Sequence, residues 1–405
     1  MSTTPTLLRL AQNYLEYKLS TLFAGKKYYE DWKIKNYHLR KAVIKNKLLA
    51  KELETACQKN GGILTYNEFI AIDQFGKNGY HATHGYHGIT GSHKHWAQAV
   101  FKLAQKKGYS YIVEVGSADG SLAIDSITQA LKSDYPLFWT CVEINASLQK
   151  ETIKRFKQKN LTPYLKQTTT IIDNVRFSKP CIGIFSYTLD SIAPEILWNS
   201  KKGQHTPDTI LGITVKNGLL EEIILTKKQL SEKGISLTNG IYTDSKGIQF
   251  DIRSWNLYKG QRAYLSLPAF SLLASFIRKI PLGSMLLIID EFRPPPAPWH
   301  TNHFLFPKDL LMYKRECENI EKTYEYAGEQ LFYFPSYLTT TEKLIQSLGC
   351  NVEQTDTEQK LAHDLSGRRW LKRPKMYFTY ALLTSAKKTA SRKLLPVEFP
   401  KLTLL

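Results

Sequence analysis

Cysteine is scarce in this sequence and shows no pairing pattern. Cys57, Cys141, Cys181, Cys317 and Cys350 are odd in number and widely scattered, with no C-x-x-C pair. That argues against a disulfide framework and a cysteine-based zinc site, and it favours a reducing compartment. No apolar run reaches membrane-spanning length, since the most apolar stretch, 263–277, is short and broken by Ser and Pro. The N-terminus lacks the basic-then-apolar layout of a secretory leader. Its first fifteen residues hold no acid, and Arg9 is their one base, too little for an organelle presequence. The expectation is a cytoplasmic protein without membrane contact, with the mitochondrion left open. No internal repeat is visible.

Acids are also few beside bases. The 405 residues contain 55 Lys and Arg against 36 Asp and Glu, a formal charge of +19. Hydrophobic residues make up 42% and charged residues 22%, a globular composition. The excess charge sits at the ends. Residues 1–59 carry a net +7 and residues 365–405 a net +9, leaving +3 for the long middle. Such ends attract acidic or phosphate-rich partners, RNA included, through salt-sensitive forces; solubility alone is the competing explanation. The run Arg368-Arg369-Trp370-Leu371-Lys372-Arg373 suits RNA contact but is no sequence-reading motif.

Apolar spacing divides the chain into three parts. Residues 1–59 read as a basic helical extension: Leu8, Leu15, Leu19 and Leu22 recur at helical spacing. A second helix is expected from about 30 to 58, ending at Asn60-Gly61-Gly62. From 60 to 388, short apolar runs alternate with helical patterns. Strands are expected at 111–115, 138–143, 169–172, 181–185, 285–290 and 376–383, with helices at 122–131 and 148–158. Near-continuous apolar strands between helices imply an α/β domain whose mostly parallel sheet is covered on both faces. Within it, 195–265 changes character. Two strand-like runs flank Asn217-Gly218, a two-residue hairpin signal, so this segment is expected to be an antiparallel insertion. Residues 389–405 form a basic tail.

The sharpest local feature is Val113-Glu114-Val115-Gly116-Ser117-Ala118-Asp119-Gly120-Ser121, a buried strand turning into a helix. Glycine there permits left-handed backbone and close approach of a ligand, and the helix start offers unpaired N–H groups. A dinucleotide fingerprint fails, because Ala118 and Ser121 stand where its second and third glycines belong. No G-K-[ST] follows, so a phosphate-binding P-loop fails too. What matches is the E-x-G-x-G-x-G loop of S-adenosylmethionine methyltransferases, with Glu114, Gly116 and Gly120 kept and Ala118 in place of the middle glycine. Ser117 would lie in the same cradle. An ordinary strand–helix turn is the alternative. The next strand ends at Glu143, placed to accept hydrogen bonds from both ribose hydroxyls, or simply an exposed strand-end acid. Asp173, after the third strand, is a candidate for the adenine amino group, or a turn residue.

These features, in this order, resemble the MidA-type class I methyltransferases, a family that includes a mitochondrial complex I assembly methyltransferase. The likeness runs from about 60 to 388. It includes Leu64-Thr65-Tyr66-Asn67-Glu68-Phe69, Asn78-Gly79-Tyr80-His81-Ala82, Gly88-Ile89-Thr90-Gly91 and the glycine loop. It continues through Val142-Glu143-Ile144-Asn145, Leu189-Asp190-Ser191-Ile192, Leu286 to Asp290, and Gly328-Glu329-Gln330. The resemblance implies a Rossmann-like, seven-stranded sheet, S-adenosylmethionine as cofactor, and methylation of protein arginine. This chain departs from the family's acceptor motif, Asn-Glu-x-x-Asp-Ala-x-Pro. Asp190 is kept, but Ser186 and Tyr187 replace the Asn-Glu pair. A guanidinium calls for neighbouring carboxylates, so the loss puts an arginine substrate in doubt and leaves the cofactor expectation standing.

Half of the ten histidines, His81, His84, His87, His93 and His95, fall within fifteen residues. A neutral imidazole is a suitable general base, and imidazole clusters also bind metals. Irregular spacing and the lack of acids among them argue against metal. His87, beside Gly88, is the expected base, and plain loop histidines are the alternative. Asp190, Tyr187 and His87 are the expected acceptor-side residues. Asp290 and Glu291, at the end of the fifth strand, are candidate acceptor contacts or simple loop anchors.

Three functions follow. The first is methyl transfer to a protein or peptide side chain, the second is tailoring of a small molecule, and the third is a non-catalytic RNA-binding or assembly protein on the same fold. Oligomeric state, including a homodimer, is left open.

Overall fold

In a computed structural model of the chain, the structure describes residues 39–84, 93–201, 203, 206–255, 259–260, 262–293, 324, 327, 336–366, 379–386 and 393–397. The central sheet has seven principal strands: β1 (Tyr111–Val115), β2 (Phe138–Val142), β3 (Leu165–Thr169), β4 (Ile182–Ser186), β5 (Met285–Arg293), β6 (Cys350–Thr357) and β7 (Thr379–Ala386). Their order is β6-β7-β5-β4-β1-β2-β3, with the two-residue strand Ser336–Tyr337 added beside the end of β5.

Side-chain alternation along the strands explains the two covered faces. Ile112, Ile182, Ile184, Leu287 and Ile289 point into one core, shared with the helices His93–Lys107 and Ser121–Leu131. Val113, Val115, Phe185, Leu286 and Ile288 point into the other, shared with the helix Leu267–Lys279. A period of two, buried on both sides, produces the continuous apolar runs seen in the sequence. The sheet is mixed, with five of its seven principal strands parallel. β3, β2, β1, β4 and β5 are mutually parallel, while β7 runs antiparallel to β5 and β6 antiparallel to β7.

Packed with this sheet is an antiparallel layer built from Glu195–Trp198, Thr209–Lys216, Leu219–Ile224 and Arg262–Leu265. The expected hairpin is present, with Asn217 at φ 52° and Gly218 at φ 76°, as a primed turn requires. The layer is not a self-contained insertion, however. Lys41–Val43 pairs with Leu219–Glu221, and Leu64–Thr65 pairs with Gly212–Ile213. Ala42 and Val43, expected in a helix, therefore lie in a strand. The reason is Asn46, whose side chain accepts from Leu49 N at 3.1 Å and starts the helix only at Lys47. That helix, Lys47–Lys59, and the helix Tyr66–Phe75 cover the layer through Leu49, Leu53, Tyr66 and Phe69. The third expected strand also moves, from 169–172 to Leu165–Thr169. It is the edge strand, half-exposed or exposed along Leu165 to Thr168, so its apolar signal is weak. Among the described residues, no helix is long and apolar enough to cross a membrane.

Candidate functional site

The carboxyl ends of β1, β2 and β4 open onto a cavity of about 530 Å³, closed on its far side by the antiparallel layer and the helix Tyr66–Phe75. Strand ends of this kind are where open α/β sheets bind ligands. The loop after β1 is shaped by three left-handed residues, Gly116 (φ 75°), Ala118 (φ 49°) and Gly120 (φ 74°). At Gly116 an added Cβ would stand 2.4 Å from Thr188 Oγ1, and at Gly120 it would stand 2.7 Å from Thr152 Cγ2. The glycines are thus required by packing on the loop after β4 and on the helix Ala146–Gln158, as well as by φ. Ala118 holds the same backbone region with a side chain, at a cost of about 1–2 kcal/mol. Arg155 fastens the turn from outside: it ion-pairs with Asp119 and donates to the Asp119 carbonyl at 3.1 Å and to Ser121 Oγ at 2.8 Å.

Glu143 follows directly on β2 and is buried in the cavity wall. Its Oε2 accepts from Ala118 N at 2.8 Å and its Oε1 from Asn145 N at 2.9 Å. Burial pushes its pKa up, while these backbone N–H groups hold it down. The Ile144 N–H adds to these, and the two oxygens still retain acceptor capacity for a diol. Next to it Ile144 is 65% exposed and lines the cavity, with Thr170 and Ile172 nearby in the same wall. Glu114, at the end of β1, is fully buried and accepts from Trp139 Nε1 at 3.0 Å. Burial, with Asp119 and Glu143 adding like charge, pushes its pKa up to about 8 despite the Trp139 hydrogen bond. Ser117 Oγ, also in this wall, is buried without a hydrogen-bond partner of normal geometry among the described residues.

The structure brings together six of the seven expected cofactor residues: Glu114, Gly116, Ser117, Ala118 and Glu143 line the cavity, and Gly120 caps the adjoining helix. Asp173 is the correction. Its carboxylate is exposed, held by ion pairs to Lys279 and to Lys246 (3.5 Å), and it does not line this cavity. Hydrogen bonding to Lys279 and the charge of both lysines lower its pKa despite some burial. Thr170 and Ile172 line the cavity in this stretch instead, because the strand ends three residues earlier than the sequence suggested.

On the acceptor side, Tyr187 lines the cavity as expected, held at φ 50° with its N–H on Ile289 O at 2.7 Å. Asp190 is buried and is not among the lining residues; its neighbours Thr188, Ser191 and Ile192 are. Asp290 is a loop anchor, accepting from Leu189 N at 2.8 Å. His87 lies outside the described residues, as do Gly328-Glu329-Gln330 and 368–373. His81 does line the cavity, its ring stacked 5.1 Å from that of Phe75. Among the described residues no three His, Cys, Asp or Glu side chains converge as a metal site.

Sequence reasoning missed a second set of polar residues. Thr65, Glu68, Lys233, Glu195 and Tyr242 line the same cavity: Thr65 and Glu195 come from the antiparallel layer, Glu68 from the helix Tyr66–Phe75, Lys233 from the end of the helix Lys227–Glu232, and Tyr242 from the strand Ile241–Thr243 of a separate small sheet. Thr65 and Glu68 form a reciprocal capping box for the helix Tyr66–Phe75, and Lys233 pairs with Glu68 at 2.7 Å. The capping box is a local pattern readable as Thr-x-x-Glu, but nothing local reveals that it borders a cavity.

No family model and no curated protein matches the chain. Its fold is similar to that of a COG1565 superfamily protein from Burkholderia thailandensis, solved both in native form and bound to S-adenosyl-homocysteine. Each comparison has 10% identity and a TM-score of 0.55, and covers 86% of this chain and 94% of that one. A mitomycin 7-O-methyltransferase aligns at 10% identity with a TM-score of 0.38, over 84% of this chain and 68% of its own. At 10% identity the likeness to the Burkholderia protein is one of fold, and the chain shares that fold with a protein that holds S-adenosyl-homocysteine.

Proposed function

We propose that the protein is an S-adenosylmethionine-dependent methyltransferase of the MidA type, acting on a protein or peptide side chain. The observation that carries this is Glu143, a buried carboxylate at the tip of the second parallel strand, clasped by the glycine-loop N–H of Ala118. The residues present suit the cofactor. Glu143 has acceptor capacity for the ribose diol, Ile144 offers an exposed apolar face to a base, and Ser117, whose hydroxyl reaches Cys141, stands in the same wall. The cofactor would supply an electrophilic methyl on a sulfonium.

The chain's own part is alignment and exclusion of water. Little acid–base chemistry is needed on the donor side, so rate comes from holding an acceptor in line with the methyl at near-attack distance. Gly116 to Gly120 would hold the amino-acid portion, and Tyr187 and His81 would face the acceptor. Tyr187 stands where the resembled family has a carboxylate, so arginine is disfavoured as the side chain. The basic ends would suit an acidic client. A cavity of about 530 Å³ in which Tyr187 is an aromatic wall supports a second reading, methylation of a small molecule, since pockets of this size commonly take such ligands.

The test is incubation of the full-length protein with methyl-labelled S-adenosylmethionine and a whole-cell extract. Label in a protein or peptide supports the first reading and label in the low-mass fraction the second. No label anywhere, with no binding of the cofactor by the purified protein, overturns both.

A further inference from the structure

Glu195 opens the strand Glu195–Trp198 of the antiparallel layer, on the opposite wall of the cavity from the glycine loop. It is 3% exposed, and its Oε2 has no hydrogen-bond partner among the described residues. The surrounding polar groups are already committed. Glu68 accepts from Lys233 Nζ at 2.7 Å and from Thr65 N at 2.7 Å. Asp244 takes the N–H groups of Lys246 and Ile248 and the Ser271 hydroxyl. The Thr65 hydroxyl reaches Glu195, and Tyr242, whose hydroxyl burial keeps protonated, stands close enough to feel its charge. Glu195 thus brings to the cavity wall a buried carboxylate oxygen that the fold leaves without a partner, and such a group calls for an explanation.

We propose that Glu195 is the proton acceptor for the nucleophile methylated in this cavity. The acceptor is then a group that loses a proton as it gains the methyl, a hydroxyl or an N–H, and not a thioether or a carboxylate. This rests on the methyltransferase reading above. In the step, a lone pair of the acceptor O or N forms the bond to the methyl carbon. The S–CH3 bond breaks with its pair remaining on sulfur, giving a neutral thioether. The acceptor's proton passes to Glu195 Oε2. The carboxylate must be ionised to receive it.

Its surroundings set when that happens. Burial, then the like charge of Glu68, push the Glu195 pKa up to about 8, against the Thr65 hydrogen bond and the charge of Lys233. Turnover is therefore expected to rise about tenfold per pH unit up to pH 8 and to level off above it. A base needs a pKa near working pH, and this one has it without histidine.

The experiment uses the full-length protein, methyl-labelled S-adenosylmethionine and a whole-cell extract as acceptor pool, from pH 6 to 9. S-adenosyl-homocysteine titration is run alongside. Glu195→Gln should lose at least about a hundredfold in transfer and lose the pH slope, while binding S-adenosyl-homocysteine within twofold of wild type. Glu195→Asp should recover part of the rate with a displaced profile, which a merely structural role would not produce. Transfer by Glu195→Gln at the wild-type rate, or with the wild-type pH slope, overturns the proposal. So does a wild type that binds S-adenosyl-homocysteine but transfers nothing across this range. A wild type that fails to bind S-adenosyl-homocysteine instead overturns the methyltransferase reading itself.

Discussion

Two buried glutamates on the same antiparallel layer have opposite surroundings. Glu222 sits inside the layer with every demand met: Arg262 Nη1 at 2.9 Å, the Tyr324 hydroxyl at 2.8 Å and Arg40 N at 2.9 Å, with both ion-pair side chains fully buried. Glu195, on the cavity wall, has one oxygen unpartnered among the described residues and a second carboxylate as neighbour. Burying a charge is tolerable when it is paired and hydrogen-bonded, and costly otherwise. The fold completes the first carboxylate and leaves the second incomplete. Glu114 and Glu143, across the cavity, belong with the second: buried, partly satisfied, and pushed towards the protonated form. The contrast separates carboxylates that hold the layer together from those that line the cavity.

Removing the counter-charge of the structural pair should have the largest effect. Arg262→Leu leaves Glu222 buried without its cation, and unfolding stability should fall by about 3–5 kcal/mol, read as a drop in denaturant midpoint. A loss under about 1 kcal/mol would show that the pair is not the anchor described.

The cavity carboxylate should behave in the reverse sense. The folded pKa of Glu195, about 8, lies above the usual carboxylate value. Below that usual value the residue is neutral in both folded and unfolded chains and costs nothing. As pH rises to about 8 only the unfolded chain ionises, so stability is lost over this window and the loss is constant above it. Glu195→Gln escapes this. The variant should match wild type near pH 4 and be more stable at pH 8 and above, by up to about 5 kcal/mol. Equal pH dependence of thermal unfolding in the two proteins would mean that Glu195 is not a cost to the fold. A smaller effect is expected beside Glu143, where Ala118 donates from a left-handed backbone. Ala118→Gly relieves that strain and keeps the N–H, so stability should rise by up to about 1 kcal/mol, measured by chemical denaturation. Destabilisation would show that the methyl group is packed to advantage.

The parts of this site that were legible in the sequence are those built locally. Val113 to Ser121 carries strand, turn and helix start in nine consecutive residues, and Glu143 follows a continuous apolar run, so the loop and the strand end are found where the sequence puts them. The hairpin at Asn217-Gly218 was readable for the same reason. Asp173 was misjudged because the edge strand β3 is half-exposed and ends early, at Thr169. Asp190 matched a family pattern, but its side chain is buried away from the lining. Glu195, Glu68 and Lys233 could not be read at all. Glu68 precedes the other two by more than a hundred residues and meets them only because the strand Leu64–Thr65 joins a layer formed much later in the chain.

The most direct test is calorimetric titration of S-adenosyl-homocysteine into the full-length protein and into Glu143→Ala. The cavity described here predicts saturable one-to-one binding by wild type and at least about tenfold weaker binding by the variant, which has lost a charged acceptor for the ribose hydroxyls. No binding by a folded wild type, or equal affinity in the two proteins, would contradict it.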